Sequence, residues 1–198
     1  MAWIEKLKSF FRGTWLRSER QKWNDGYLRG KWDGLKDPAE EPRLDAVVTM
    51  LRRHSPQARV LEIGCGEALV QRRMTPADYT RWAGVDLSDV VIEQAQKFAG
   101  PNVTYEAGDM RVYTPTQNET FDAIMFTESI NYVQQRDEVL KRYFAFLRPN
   151  GVFILSVYDQ IRSPQIWSEV EAVLEPIDTV ITENARGKWV CKVLKPRI

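Results

Sequence analysis

The chain is poor in the groups on which much hydrolytic and metal chemistry depends. Its 198 residues include one histidine, His54, and two cysteines, Cys65 and Cys191. The cysteines lie far apart in unrelated contexts, one in a glycine turn and one in an apolar C-terminal run. They form no disulfide framework and are expected to be reduced, intracellular thiols. No cluster of His, Cys, Asp and Glu has metal-ligand spacing, so no metal site is expected. Neither sign of charge dominates: 28 Lys and Arg face 27 Asp and Glu, a net charge of +1. That balance argues against nucleic acid as a partner, which usually selects a basic face. No apolar run approaches the length of a membrane span, and no signal-peptide pattern opens the chain, so a cytoplasmic protein is expected. Internal repeats and low-complexity segments are also missing.

What is present describes an ordinary globular protein, 43% hydrophobic and 28% charged, large enough for one domain with a short appendage. Its organising stretch is Val60-Leu61-Glu62-Ile63-Gly64-Cys65-Gly66-Glu67-Ala68. Arg59 to Ile63 supplies the β-branched run of a strand covered on both faces. Gly64 and Gly66 allow a tight turn and let a ligand approach the backbone without a Cβ in the way. Glu67 to Arg73 reads as a helix whose free N–H groups would point at that ligand. A dinucleotide fingerprint would need a third glycine where Leu69 stands, and a P-loop would need Gly-Lys-Ser/Thr, which does not follow.

A helix opened by Asp37-Pro38 and lined by Leu44, Val47, Val48 and Leu51 precedes this strand and ends near His54. His54 therefore lies where the strand begins. Ligands of open α/β sheets bind at the other, carboxyl ends of the strands, so His54 is set aside as a catalyst. Arg81 to Val85 makes a second strand running into Asp86-Leu87-Ser88. Asp86 falls 20 residues past Gly66, where nucleotide-binding α/β folds place the carboxylate that receives ribose hydroxyls. Ser88 can cap the next helix, Val90 to Phe98, leaving Asp86 for a ligand, and Leu87 offers an apolar face to a base. Further strands are read at Val103 to Tyr105, Phe121 to Phe126 and Val152 to Val157. Helices are read at Val139 to Leu147 and Pro164 to Leu174. Ile177 to Ile181 and Trp189 to Leu194 flank Glu-Asn-Ala-Arg-Gly as an antiparallel hairpin.

Residues 1–36 read as a helical extension and lid, and residues 37–198 as the main domain. Trp3, Ile4, Leu7, Phe10, Phe11 and Trp15 recur at helical spacing, and six basic residues within the first 22 face two acidic ones. Such a stripe packs on the domain or on a second copy of the chain, or lies on an anionic membrane surface. Trp23 to Leu35 holds three glycines and two tryptophans, a poor composition for a free-standing helix. It suits either a lid over a small-ligand pocket, with Tyr27 and Trp32 at the cofactor, or a surface segment that anchors the N-terminus by burying Trp23 and Trp32.

From residue 37 to 195 these motifs resemble the class I S-adenosylmethionine (SAM) methyltransferases. The resemblance implies an α/β, Rossmann-like, mostly parallel sheet of seven strands in the order 3-2-1-4-5-7-6, with the last strand antiparallel and helices on both sides. It implies that Glu62, Gly64, Cys65 and Gly66 cradle the methionine part of SAM, with Ala68 a mild departure at a position that is often glycine. Asp86 and Leu87 would take the ribose and adenine, Asp109 the adenine amino group, and the Met110 backbone a ring nitrogen, with Thr127 also at the cofactor. The Leu147-Arg148-Pro149-Asn150-Gly151 turn is a further trait of the family. Glu128-Ser129-Ile130-Asn131-Tyr132-Val133 is similar to the Glu-x-Leu-Tyr-Tyr-Leu pattern of nodulation-type sugar-amine methyltransferases, with Asn131 replacing a tyrosine. The Asn/Asp-Pro-Pro-Tyr/Phe motif of base and glutamine methyltransferases is absent.

Methyl transfer from SAM is an in-line displacement, in which a protein mainly positions the acceptor and excludes water. A neutral amine attacks unaided, whereas a hydroxyl prefers a base. With His54 set aside, the candidates are Glu128, Tyr132, Tyr158 and Asp159. Glu128 and Tyr132 are assigned to catalysis, Asn131 and Tyr158 to the substrate, and catechol-type Mg²⁺ chemistry is not suggested. Glu128 has an alternative role as a brace of its own loop. No large insertion supplies a substrate domain, which favours a small molecule or a glycan terminus as acceptor, with S-adenosylhomocysteine (SAH) as product. A lipid-linked acceptor follows if the basic helix meets a membrane. Two other readings stay open: a catalytically silent SAM-binding regulator, and a protein or RNA methyltransferase.

Overall fold

The computed structural model describes residues 17–197. The aromatic stripe from Trp3 to Trp15 lies outside the described residues. A helix over residues 17–28 (α1) leads into turns and a single 3-10 turn at Asp33–Lys36. Then follow α2 (Glu41–His54), β1 (Ala58–Ile63), β2 (Tyr79–Asp86), α3 (Asp89–Ala95), β3 (Val103–Ala107), β4 (Phe121–Thr127) and α4 (Arg136–Tyr143). β5 (Leu147–Tyr158), α5 (Ser163–Glu171), β6 (Leu174–Asn184) and β7 (Gly187–Pro196) complete the chain. The seven strands form one sheet in the order β3-β2-β1-β4-β5-β7-β6. Pairing is parallel from β3 to β5, and β7 runs antiparallel to both its neighbours. The expected topology is present.

The apolar runs explain the layering. In β1, β4 and β5 successive side chains alternate between two buried faces, so neither face needs polar residues. On one side Val60, Ala123, Met125, Val152 and Ile154 pack with Leu44, Val47, Val48 and Leu51 of α2. On the other, Leu61, Ile63, Ile124, Phe126, Phe153 and Leu155 pack with Val139 and Leu140 of α4 and Ile166 and Val170 of α5. Strand order reverses at β1, which pairs with β2 on one side and β4 on the other. A crevice opens at such a switch point, outside the carboxyl ends of the strands.

Three local readings are corrected. Residues 67–70 form turns and only Gln71–Arg73 makes a 3-10 turn, so no α-helix follows the glycine turn. Ala68 at φ 60° is the reason, because a left-handed residue ends any helix begun before it. Conversely, α1 runs through Trp23 and Gly26 despite their composition. Tertiary contacts overrule propensity here: Ser88 Oγ donates to Asn24 Oδ1 at 2.7 Å, and the Trp32 indole lies against Gly26. Finally, Asp37 caps a 3-10 turn at Pro38–Glu40, accepting from Ala39 N at 2.9 Å, and the α-helix proper begins at Glu41.

Candidate active site

At the carboxyl ends of β1, β2 and β4 lies a cavity of about 450 Å³. Its floor is the glycine turn. Gly64 and Cys65 donate their backbone N–H groups to Val85 O at 2.7 and 3.0 Å, which folds the turn against β2. Gly64 at φ 74° and Gly66 at φ 52° hold conformations that suit glycine. Gly64 is also hemmed in: a Cβ there would sit 2.3 Å from Ser129 Cβ, and Ser129 Oγ in turn donates to Ile63 O at 2.6 Å. Ser129 thus locks the loop after β4 onto the turn after β1.

Two buried carboxylates border this floor. Glu62, the last residue but one of β1, has 1% of its surface exposed, and its Oε2 has no hydrogen-bond partner. Burial pushes its carboxyl up to about 8 against the nearby Trp82 indole N–H, which favours the charged form but makes no hydrogen bond of normal geometry. Asp86 ends β2, accepting from Gly66 N at 3.1 Å and Ser88 N at 2.9 Å. Burial raises its carboxyl to about 6, with those N–H groups opposing the shift. Burial also raises the Cys65 thiol well above its usual range, so the sulfur is an inert, neutral lining group. Leu87 follows Asp86 on the wall, with Asp109 and Met110 beyond it. Asp109 takes the Arg111 side chain on both oxygens, Nε at 2.7 Å and Nη2 at 2.6 Å.

The other end is framed by β4, β5 and the N-terminal segment. Glu128 has a left-handed backbone, φ 56°, and braces β5: Oε1 accepts from Ser156 Oγ at 2.6 Å and Oε2 from Tyr158 N at 2.7 Å. It nevertheless lines the cavity, and burial raises its carboxyl above the ordinary range. Thr127 and Asn131 line the cavity, and their buried Oγ1 and Oδ1 atoms have no hydrogen-bond partner. Trp23 stacks on Trp32 at 5.4 Å between centroids, and Tyr132 meets both rings edge-on at 4.8 and 6.2 Å. Tyr27 joins this roof at 6.4 Å from Trp32. Tyr158 lines the same end.

All fifteen residues assigned from the sequence to cofactor, catalysis or substrate thus meet in one cavity. Asp159, the remaining candidate base, pairs with Lys188 at 2.9 Å and is not among the lining residues. His54 bonds Asp178 of β6 at 2.7 Å, away from the cavity.

Sequence reasoning missed Arg43 and Glu40. Arg43 is only 3% exposed, and its Nε donates to Glu40 Oε2, also buried. Among the described residues that is its only hydrogen bond, so both Nη atoms of a cavity-lining guanidinium are unclaimed. No local signal flags it, because Arg43 sits beside Leu44 as any charged residue of an amphipathic helix does. Ser129, Trp189 and Arg186 also join the lining.

Residues 60–151 match the family model described as a methyltransferase domain. The chain is 28% identical over 152 residues to 27-O-demethylrifamycin SV methyltransferase of Amycolatopsis mediterranei, an alignment spanning 73% of this chain and 55% of that one. It spans about half the length of the curated relatives it matches. Among solved structures it is similar to the N-methyltransferase NodS of Bradyrhizobium japonicum WM9 in complex with SAH, with a TM-score of 0.72 and 16% identity over 84% of this chain and 92% of that one. It is also similar to the 1,6-didemethyltoxoflavin-N1-methyltransferase of Burkholderia thailandensis, with a TM-score of 0.75 and 17% identity over 94% and 90% of the two chains. Strand order, glycine turn and domain match agree: residues 60–151 match a methyltransferase domain, and the chain has the Rossmann-like fold of class I SAM-dependent methyltransferases.

Proposed function

We propose that the chain transfers a methyl group from SAM to a nitrogen or oxygen atom of a small molecule or glycan terminus, releasing SAH. One observation carries the reading. A buried, unpartnered Glu62 oxygen and the Asp86 carboxylate flank a positive-φ glycine turn, which are the sockets an ammonium and a pair of ribose hydroxyls need. When bound, SAM supplies an electrophilic methyl on a sulfonium.

The protein's part is to hold and to shield. Glu62 and the Gly64–Gly66 turn receive the amino-acid end of the cofactor. The free fork of Arg43 matches its carboxylate in geometry and charge. Asp86 takes the ribose hydroxyls, and Leu87, Asp109 and Met110 take the adenine. Thr127 sits between cofactor and acceptor. Tyr27 and Trp32, with Trp23, close over the site and exclude water. Asn131 and Tyr158 orient the acceptor, with Tyr132 at the edge of the roof. Glu128, fixed by Ser156 and Tyr158, orients an acceptor N–H or O–H and receives the proton of a hydroxyl. Its burial-raised carboxyl is the better base for that task.

A small acceptor fits a cavity of about 450 Å³, and relatives named for O- and N-methylation of small molecules support it. The protein is read as cytoplasmic, with residues 1–22 available for a membrane surface or a second copy. No helix among the described residues is long and apolar enough to cross a membrane.

Calorimetric titration with SAM, with NADH as control, tests the reading. Saturable SAM binding that Asp86→Ala weakens at least about tenfold is expected, since it removes hydrogen bonds to a charged acceptor. Absence of SAM binding by the unaltered protein removes it.

A further inference from the structure

The tip of the β6–β7 hairpin reaches across the cavity end and grips the segment before α2. Asn184 Nδ2 donates to Ala39 O at 2.7 Å, and Arg186 Nη1 donates to Gly34 O at 3.1 Å. The tip is itself seated on Tyr158: the tyrosine hydroxyl donates to Arg186 O at 3.3 Å, and a Cβ on Gly187 would lie 2.3 Å from the ring. Arg186 Nη1 also stands 3.6 Å from both Glu40 Oε1 and Asp37 Oδ2, and of the two carboxylates only that of Glu40 is buried against Arg43. Glu40 is therefore shared. One oxygen holds Arg43 through Nε and the other faces Arg186.

That division has a consequence for Arg43. A carboxylate beside an arginine prefers to accept from two of its nitrogens at once. Were both Glu40 oxygens free, the second would turn onto an Nη of Arg43 and occupy the fork. With Arg186 drawing Oε1 the other way, Glu40 touches Nε alone, and the Nη pair stays available to the cavity. The buried setting of Glu40 and Arg43 strengthens this competition, because little water screens the charges.

Resting on the proposed SAM site, we infer that Arg186 is a positioning residue. By holding Glu40 it keeps the Arg43 fork open for the carboxylate of the cofactor's amino-acid end. Arg186 lies beyond the matched domain of residues 60–151, so the last hairpin of the chain tunes a site whose floor is built near its middle.

The test compares two probes on the full chain, SAH and 5′-methylthioadenosine, which keeps the nucleoside and lacks the amino-acid carboxylate. Both are titrated into the unaltered protein, Arg186→Gln, Arg186→Lys, Arg43→Gln and the Arg186→Gln/Arg43→Gln double variant. Arg186→Gln is expected to weaken SAH about tenfold, the worth of one charge-assisted hydrogen bond, and to leave methylthioadenosine unchanged. Arg186→Lys restores part of the loss, and Arg186→Gln adds nothing once Arg43 is gone. Equal weakening of both probes would make Arg186 a merely structural prop and overturn the inference. So would additive losses in the double variant. If the unaltered protein binds neither probe, it is the SAM site itself that fails, and methylthioadenosine binding by Arg186→Gln shows that the variant is folded.

Discussion

The two ends of the cavity are built in different ways. The end at Glu62, Gly64, Gly66 and Asp86 comes from adjacent strands in register, Glu62 opposite Gly84 and Ile63 opposite Val85. Its polar groups are largely backbone N–H and strand-end carboxylates, fixed as soon as β1 and β2 pair. The other end is assembled from Trp23, Glu40, Arg43, Glu128, Tyr132, Arg186 and Trp189, drawn from the whole length of the chain. There side chains do the positioning, each held by one or two long-range contacts. The first end is set by sheet geometry, and the second by the packing of peripheral segments on the sheet. The first suits an unvarying ligand, and the second, apart from the Arg43 fork that turns toward that same ligand, a variable one.

Substitutions at the floor break this contrast most severely. Gly64→Ala forces a Cβ onto Ser129 in a left-handed backbone, so a loss above about 3 kcal/mol in chemical denaturation is expected, or no soluble protein. Gly66→Ala meets only the Tyr27 hydroxyl at 3.3 Å and should cost about 1–2 kcal/mol, mainly for its positive φ. Similar losses at both positions would show that Ser129 does not lock the turn.

Next comes Glu62→Gln. Measured above about pH 8, where the carboxyl carries its charge, SAM affinity falls at least about tenfold. The unliganded protein responds in the opposite direction. A carboxyl raised by burial from 4.5 to about 8 makes the folded state bind more protons than the unfolded one over that interval. Stability therefore declines as pH rises through it, and Glu62→Gln removes that decline. Melting temperatures at about pH 5 and pH 9 check the sign: the variant should gain on the unaltered protein only at the higher pH.

A smaller effect sits at Asp86. Below its carboxyl value of about 6 the group is protonated and loses its charged acceptor, so SAM affinity falls as pH drops through that point. Asp86→Asn flattens the profile at the weaker level, and an unchanged profile would place the titration elsewhere. At the peripheral end, Trp23→Ala opens the stacked roof, with a few-fold faster release of SAM in stopped flow and little change in denaturation midpoint. Smallest of all is Ala68→Gly. Relief of the left-handed strain at φ 60° roughly offsets the buried methyl, leaving a change within about 1 kcal/mol by denaturation.

The same contrast governs how much was legible beforehand. Strand starts and ends could be read from β-branched runs and glycine, and so the strand-end residues fell into place with them. Ala68 misled because its conformation is imposed by the turn, and alanine otherwise favours a helix. Trp23 to Leu28 misled in reverse, since contacts to Ser88 and Trp32 stabilise a helix its glycine disfavours. Arg43 and Glu40 gave no signal at all. A buried ion pair on a helix looks, in one dimension, like any exposed i, i+3 pair.

The sequence by itself determined the sheet, its strand-end carboxylates and the glycine turn, because hydrophobic period and backbone permissiveness are local properties. Only the tertiary structure decided that Ser129 closes the turn, that Glu128 braces β5, and that Arg186 shares Glu40 with Arg43. Those are meetings of side chains distant in sequence, and their energy exists only once the sheet has brought them together.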